Sequence, residues 1–468
     1  MTLSVQQRGS VFLVMALSLL LLGITLSFSG HDWQRVLQVG VAVCALLYGL
    51  ATPAGRLVDR PTAIGLGLVF GLGLISSLLA HQPLWALTEW ALMITCGVIA
   101  AAFARLRRNG DQTLDQVLIL FVLLLCLIKS LQYGYAGVLA FTSGEPTLDT
   151  DLLLSGFSNK RFYGQFQTFT LPLLALPLLL TGTSRLARGL VFALLCAWWL
   201  IAISGGTRGT WLGFGVAALV LAFLGAAGRR WLTWQLAALC GGLVLYGLLF
   251  TVLAPYLGLE IASLSNDRLT TSLSGREVIW WQAWDMIRER PWLGFGPMHF
   301  ADIPNPIAAH PHQAILQWAS EWGVPSALCV ALLALRGGWA TLRVIHRQGP
   351  SGAPQDLLRL CLFAALLGAT VQAMVDGIIV MPYSQLWLAL VVGWLMALHP
   401  WRTPVVEPMP LLRGAWQVSA VLSVALLVFV VYRDLPGATE RSQHYITITK
   451  RLLQPRFWVQ GVIAPHIR

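Results

Sequence analysis

The amino-acid sequence predicts an all-α protein that crosses a membrane many times. Of its 468 residues, 57% are apolar and only 11% are charged, and a transmembrane helix needs about 20 mainly apolar residues. The first apolar run follows a short head with one arginine, Arg8, and no small-residue cleavage site. It is therefore expected to be retained rather than removed as a signal peptide. We expect about 12–13 transmembrane helices in a single membrane domain, residues 1–468.

Apolar runs mark the expected helices in order along the chain. Thirteen are present, at 11–29, 36–52, 62–80, 84–105, 114–135, 165–182, 188–204, 210–227, 233–254, 312–335, 357–380, 384–398 and 413–432. Between the ninth and tenth lies the longest polar stretch, so residues 255–311 are expected to form a large loop that caps the bundle. Residues 433–468 are expected to form a short C-terminal tail.

The basic residues indicate the orientation, because short cytoplasmic loops are rich in Lys and Arg. With the N-terminus inside, alternate loops receive sixteen of the 31 basic residues: Arg8, Arg56, Arg60, Arg105, Arg107, Arg108, Arg185, Arg188, Arg229, Arg230, Arg336, Arg343, Arg347, Arg359, Arg402 and Arg413. Eight others fall in outer loops against this trend: Arg35, Lys160, Arg161, Arg208, Arg268, Arg276, Arg288 and Arg290. The net charge of +11 thus reflects topology and does not indicate nucleic-acid binding.

The outer cations allow two interpretations. Arg288 and Arg290 lie in an expected amphipathic helix on the outer leaflet, as its solvated face. That helix would be capped by Ser274, end at Pro291 and place these apolar residues at helical spacing: Val278, Ile279, Trp281, Trp284 and Ile287. Another group lies at the ends of apolar runs with few acids nearby: Arg161, Arg208 and Arg276. Converging guanidinium groups suit the oxygens of a pyrophosphate, although interfacial snorkelling also places arginines there.

Histidines cluster before the tenth run, in AAHPHQAILQW. Pro311 favours a helix start, so His312 and Gln313 are expected near the N-terminus of that span, facing the outer water. A neutral imidazole there can accept a proton from a sugar hydroxyl, but a simple capping role fits equally well. His310 and His312 without a third ligand make a poor metal site. No metal site is expected.

Four motifs resemble one family. They are FSNKRFYGQF at 157–166, SGGTRGTW at 204–211, an SGR sequence followed by an aromatic-rich segment that ends in RPWLGFGPMHF, and AHPHQAILQWASEWGVP. Their order is similar to that of the O-antigen ligase and Wzy-type polymerase superfamily, most like a lipopolysaccharide O-antigen ligase. The resemblance implies a GT-C-type helical bundle with a periplasmic amphipathic-helix cap. It also implies a glycosyltransferase in the bacterial inner membrane with its active site facing the periplasm.

The resemblance further implies the substrates. The donor is a glycan linked to undecaprenyl diphosphate and the acceptor is lipid A–core, both presented among membrane lipids. No cofactor, nucleotide sugar, metal or nucleic acid is implied.

Residue roles follow from the same motifs. Arg208 and Arg276 are expected at the diphosphate, and His312 is expected to activate or orient the acceptor hydroxyl. Gln313 stands where many relatives carry Asn. The expected catalytic residues are His312, Arg276 and Arg208, and the expected substrate-binding residues are Lys160, Arg161, Arg208, Arg276, Gln165, His310 and Gln313.

Other activities stay open. Within the superfamily these are a glycan polymerase and a protein O-oligosaccharyltransferase, although the latter usually has a larger outer C-terminal region. A lipid-linked glycan transporter is a third class. Transporters are often built from repeats and carry charged residues inside their spans. Here the two halves show no repeat, and the charged residues expected inside spans are Glu89, Lys129 and Asp376, which read as interfacial or helix-packing groups.

Overall fold

The computed structural model describes residues 4–25, 30–52, 57–262, 275–348, 352–400, 410–451, 453–461 and 463. Its first half consists of helices α1 (Val5–Thr25), α2 (His31–Ala51), α3 (Arg60–Leu78), α4 (Pro83–Asn109), α5 (Thr113–Thr142), α6 (Lys160–Leu174), α7 (Leu176–Leu179), α8 (Arg185–Gly205) and α9 (Arg208–Ala222).

The second half is also helical. It consists of α10 (Gly225–Tyr246), which continues into a π-helical segment at Gly247–Leu253, then α11 (Ala254–Tyr256), α12 (Arg276–Glu289), α13 (Ala314–Trp322), α14 (Val324–Gln348), α15 (Pro354–Gln372), α16 (Pro382–Leu398), α17 (Pro410–Asp434) and α18 (Ala438–Thr449). A small parallel ladder pairs β1 (Thr147–Leu148) with β2 (Glu260–Ile261) and ties the cap to the end of α5.

These elements confirm the predicted all-α polytopic architecture. Among the described residues, ten helices are long and apolar enough to cross a membrane. Two further apolar helices, α9 and α16, are shorter. The helices pack mainly as the pairs α4 with α16, α8 with α10, α9 with α15 and α6 with α15.

Helix α6 is the centre of the bundle. Every residue from Phe162 to Leu174 is buried, including polar side chains. Those side chains bond to neighbouring helices: Gln167 donates to the Trp198 carbonyl at 3.1 Å, and Trp198 Nε1 donates to Thr170 Oγ1 at 3.1 Å. Because lipid offers no hydrogen-bond partners, such pairing is required of polar groups in a spanning bundle. Helix α6 is therefore fixed against α8.

The tenth predicted span, 312–335, is divided in the structure. It breaks at Gly323, whose φ is +83°, into α13 and α14. The cap loop passes so close that a Cβ on Gly323 would lie 2.2 Å from the Trp292 carbonyl oxygen. Loop amides also pair with the end of α13, since Phe295 N donates to the Ser320 carbonyl at 3.0 Å. His312 and Gln313 consequently precede a short helix, and the expectation that they begin a span was wrong.

The predicted span 357–380 ends earlier than its apolar run. Helix α15 stops at Gln372, and the chain turns through Asp376 before α16 begins at Pro382. The backbone amide of Ala314 donates to the Ala373 carbonyl at 2.9 Å, so this turn lies against the start of α13. Asp376 is therefore in a turn outside the helices, contrary to its expected place inside a span.

The predicted amphipathic helix is present as α12, but its apolar residues do not share one environment. Ile279 and Ile287 are buried, whereas Trp281 and Trp284 are exposed. Met286, Ala283 and Ile279 pack against Phe300 and Ala308 of the cap. The expected cap residue Ser274 lies outside the described residues, and Gly275, with φ +76°, precedes the helix. The buried face of α12 thus holds the cap, and the exposed tryptophans face outward.

The C-terminal tail folds back onto the bundle. After α18 the chain runs along α2 and the cap, where Phe457 and Trp458 are buried. His31 of α2 contacts the Arg456 carbonyl at 2.8 Å through Nε2. The tail is therefore a packed part of the fold at the end of the bundle that carries the cap.

The backbones of α9 and α15 are in direct contact at Gly213 and Gly368. A side chain added at this contact is therefore expected to lower the stability of the protein. A Cβ on Gly213 would lie 2.4 Å from the Gly368 carbonyl oxygen, whereas one on Gly215, two residues away, meets nothing within 4 Å. Gly213→Ala should separate the helices and lower stability by about 1–3 kcal/mol, as overpacking does. Gly215→Ala is the matched control. Thermal unfolding in detergent checks this, and equal midpoints for the two variants would contradict the close contact.

Candidate functional site

Three arginines lie at the N-terminal ends of three helices. Arg208 is the first residue of α9, Arg276 is the first residue of α12, and Arg161 is the second residue of α6. Helix N-termini present backbone N–H groups and a partial positive charge, so they favour anions. Neither Thr207 nor Gly275 caps its helix with a side-chain hydrogen bond. Each of these positions adds an arginine to a helix end that already attracts negative charge.

Electrostatic interactions show that the three arginines share one region. Burial lowers the pKa of Arg276, and the charges of Arg161 and Arg208 lower it further. Asp376 is the acidic group that opposes this effect. The structure thus brings together arginines that are separated by up to 115 residues in sequence, from Arg161 to Arg276 (276 − 161 = 115).

His312 lies beside this arginine cluster. Its side chain is 11% exposed, and Nδ1 is 3.9 Å from Asp376 Oδ1. Burial, with the positive charges of Arg161 and Arg276, lowers the pKa of His312 from 6.5 to about 3. The imidazole is therefore neutral near pH 7. Its backbone has φ +54°, a conformation that is uncommon for a residue with a Cβ and is concentrated at functional sites.

Asp376 is the site residue that the sequence analysis missed. Its carboxylate accepts a hydrogen bond from Gly377 N at 2.8 Å and from Gln372 Nε2 at 3.1 Å. Burial raises its pKa, and the Gly377 bond opposes that rise. The Asp-Gly pair is a turn signal inside an apolar run. That signal favours a loop at Asp376, and the structure places this loop next to His312.

A chain of buried hydrogen bonds connects Asp376 to side chains of three helices. Gln372 of α15 accepts from Thr168 of α6 at 2.5 Å and donates to Thr210 of α9 at 3.4 Å. Thr210 in turn accepts from Thr207 at 2.9 Å. The chain connects α6, α9 and α15, two of which carry site arginines at their N-termini. Their relative positions are thereby fixed.

The other expected substrate-binding residues lie around this cluster in different roles. Gln165 is buried in α6 and accepts from Ser384 Oγ at 2.6 Å. His310 is buried, and its ring lies 4.1 Å from that of His312. Gln313 caps α13 by accepting from Leu316 N. Lys160 donates to Asp151, so its charge is paired within its own loop.

His299 of the cap loop and two charged residues that were expected inside spans have structural roles. His299 is buried away from the arginines, where its Nε2 accepts from Gln82 N at 2.9 Å. Lys129 is buried and donates to the carbonyl oxygens of Ile24 and Ser155 at 3.1 and 2.5 Å. Glu89 is buried near Arg456, at 3.5 Å.

The chemistry that these residues offer is anion binding next to a neutral base. Within the described ranges, no group of three His, Cys, Asp or Glu side chains is placed to hold a metal ion. Permanently charged guanidinium groups instead surround a buried imidazole and one carboxylate. Such a set can bind a phosphate-rich group and accept a proton beside it.

Comparison with known proteins agrees with the sequence motifs. The model of the O-antigen ligase family matches residues 190–331, a region that contains Arg208, Arg276 and His312. A search of curated proteins finds no match. The family match supports an O-antigen ligase-type or related polymerase activity, with lipid-linked glycan and lipid substrates in general. Residues 190–331 are therefore similar to the O-antigen ligase family, which agrees with the family that the motifs resemble.

Proposed function

We propose that this protein transfers O-antigen polysaccharide from undecaprenyl diphosphate to a lipid A–core acceptor. The observation that carries the proposal is the convergence of Arg161, Arg208 and Arg276 beside His312 and Asp376. The family match over 190–331 supports the same chemistry. The cations around the site oppose the positive-inside trend, which supports an active site on the periplasmic face of the inner membrane.

In this proposal the arginines and helix ends bind the donor diphosphate. As the glycosidic bond to the diphosphate breaks, negative charge develops on the leaving oxygen. Fixed guanidinium and N–H donors aimed at that charge stabilise the transition state, typically by about 3 kcal/mol each. Arg208 and Arg276 each begin a helix, so the side chain and the helix end act on the same anion.

His312 acts on the acceptor. A base with a pKa of about 3 is weak, and two arginines contribute to that low value. A bound diphosphate offsets those two charges, so His312 becomes more basic when the donor is present. The acceptor hydroxyl attacks the anomeric carbon, its proton passes to the imidazole, and the lipid diphosphate leaves. Asp376, 3.9 Å from Nδ1, then stabilises the imidazolium.

The first prediction concerns the donor side. Arg276→Ala should leave the protein folded and lower transfer about 10²–10³-fold, because the diphosphate loses a forked partner. Arg276→Lys should restore only part of the rate, since an ammonium cannot form the bidentate contact. Arg290→Ala, an exposed change at the residue that follows the same helix, is the control. Glycan transfer in cells at matched expression is measured, and a normal rate for Arg276→Ala would exclude the diphosphate role.

The second prediction separates binding from chemistry. His312→Ala should lower transfer about 10²–10⁴-fold, the usual effect of a general base, while labelled lipid diphosphate still binds. His444→Ala, at an exposed position of α18, is the control. Loss of donor binding in His312→Ala would contradict the acceptor-side assignment.

The third prediction concerns metal dependence. The positive charge at the site comes from arginines, and the acid that the described residues place among them, Asp376, is held by Gly377 and Gln372. A hard cation held by a single carboxylate would bind weakly. The purified protein should therefore transfer glycan at an unchanged rate in excess EDTA. A rate lost to EDTA and restored by magnesium or manganese would refute the metal-free mechanism.

A further inference from the structure

A fully buried ion cluster joins the C-terminal tail to the bundle. Both Nη2 contacts of Arg456 with Glu321 are short, at 2.6 and 2.7 Å, and neither side chain is exposed. Glu89 of α4 lies 3.5 Å from the same nitrogen. Burial raises the pKa of Glu321, the charge of Arg456 opposes the rise, and Glu89 adds to it. Arg456 is thus the tail residue that compensates two buried carboxylates.

Such a cluster is weak evidence for stability, because desolvating the charges offsets much of their attraction. The cluster says more about how the side chains are oriented than about how stable the protein is. The planar guanidinium of Arg456 bonds both oxygens of Glu321 from Nη2 and a different group from Nη1, which fixes its orientation relative to both partners. The segments that Arg456 contacts therefore indicate what it orients.

Those segments lie on both sides of His312 in sequence. Arg456 Nη1 donates to the Ala309 carbonyl at 3.5 Å. On the other side, Glu321 and Gln317 lie on α13, and Gln317 accepts from Arg456 Nη1 at 3.1 Å in the amide orientation that the surrounding donors require. The tail also reaches the cap loop through Gln454, which donates to the Asn305 carbonyl at 3.2 Å.

The opposite side of the tail is held by α2. Arg35 donates from Nε to the Phe457 carbonyl at 3.3 Å, and its guanidinium lies 5.1 Å from the centre of the Phe457 ring. Asp32 accepts from Val459 N, and His31 contacts the Arg456 carbonyl. These contacts with α2 therefore hold the tail segment in place, and Arg456 of the same segment contacts α13.

We propose that the described residues between Lys450 and Ile463 form a strap whose Arg456 is a positioning residue for His312. The strap holds Ala309 and α13 in place, and the segment between them carries the imidazole that acts on the acceptor. This inference rests on the proposed function. It predicts that the strap affects the chemical step and not donor binding, because the arginines that bind the donor belong to other helices.

The test uses full-length Arg456→Lys, which keeps the charge but cannot bond Glu321 and the Ala309 carbonyl from two nitrogens of one plane. We expect kcat to fall about 10- to 100-fold, as small displacements of catalytic groups do, with the donor KM within about twofold of wild type. In a His312→Ala background, the residual transfer rate should not fall further when Arg456→Lys is added. Arg441→Lys, an exposed tail position, is the matched control.

A second variant separates positioning from folding. Arg456→Met combined with Glu321→Gln and Glu89→Gln removes the cation and both carboxylates, so none of the three is left as a buried unpaired charge. Folded yield and the unfolding midpoint are measured, and kcat should fall as in Arg456→Lys while the protein remains folded.

An activity-independent measurement completes the test. Diethylpyrocarbonate modification of His312, followed by mass spectrometry, should be faster in Arg456→Lys than in wild type. An unchanged modification rate, an unchanged kcat, a parallel loss of donor binding or an additive loss in the His312→Ala background would each overturn the strap. If wild type itself transfers no glycan, the proposed function fails, and the modification rate still decides the strap.

Discussion

The free-energy cost of burying charged groups among apolar helices determines where this protein places its charged side chains. A charged group removed from water needs partners, and lipid supplies none. Lys129 meets that requirement with carbonyl oxygens, and Arg456 meets it with two carboxylates. Around His312 the balance differs, because Arg161 and Arg276 act on one another and on the imidazole with Asp376 as their common acid. The concentration of positive charge there is a property of the whole fold, since each arginine comes from a different helix.

Helix ends make that concentration possible. Helices α6 and α9 are fixed by hydrogen bonds through Gln372 of α15, and α12 is fixed by its buried face against the cap. Their N-termini therefore lie near one region of the fold. Since the relative placement of α9 and α15 depends on the contact between Gly213 and Gly368, the geometry of the site extends well into the spanning part of the bundle.

The arginines and His312 could be predicted because they lie in local motifs and oppose the expected distribution of charge. Asp376 could not be recognised by the same reasoning, since its apolar neighbours extend the hydropathy of α15 past the end of the helix. The break at Gly323 depends on its contact with the loop that follows α12, which lies more than 20 residues earlier in the sequence. Hydropathy does not indicate contacts between residues so far apart in sequence. Arg456 pairs with Glu321 across 135 residues, and no local pattern in the tail indicates it.

The low pKa of His312 gives the proposed reaction an order. Before a donor binds, burial lowers the pKa of His312 most, and Arg161 and Arg276 lower it further, so the imidazole is a poor base. In the proposed reaction, a diphosphate among the same arginines would offset their part of this effect and raise the pKa of His312 beside the bond that is to be broken. The group that must leave therefore also prepares the group that accepts the proton. A site of this kind would couple donor binding to acceptor activation through electrostatics.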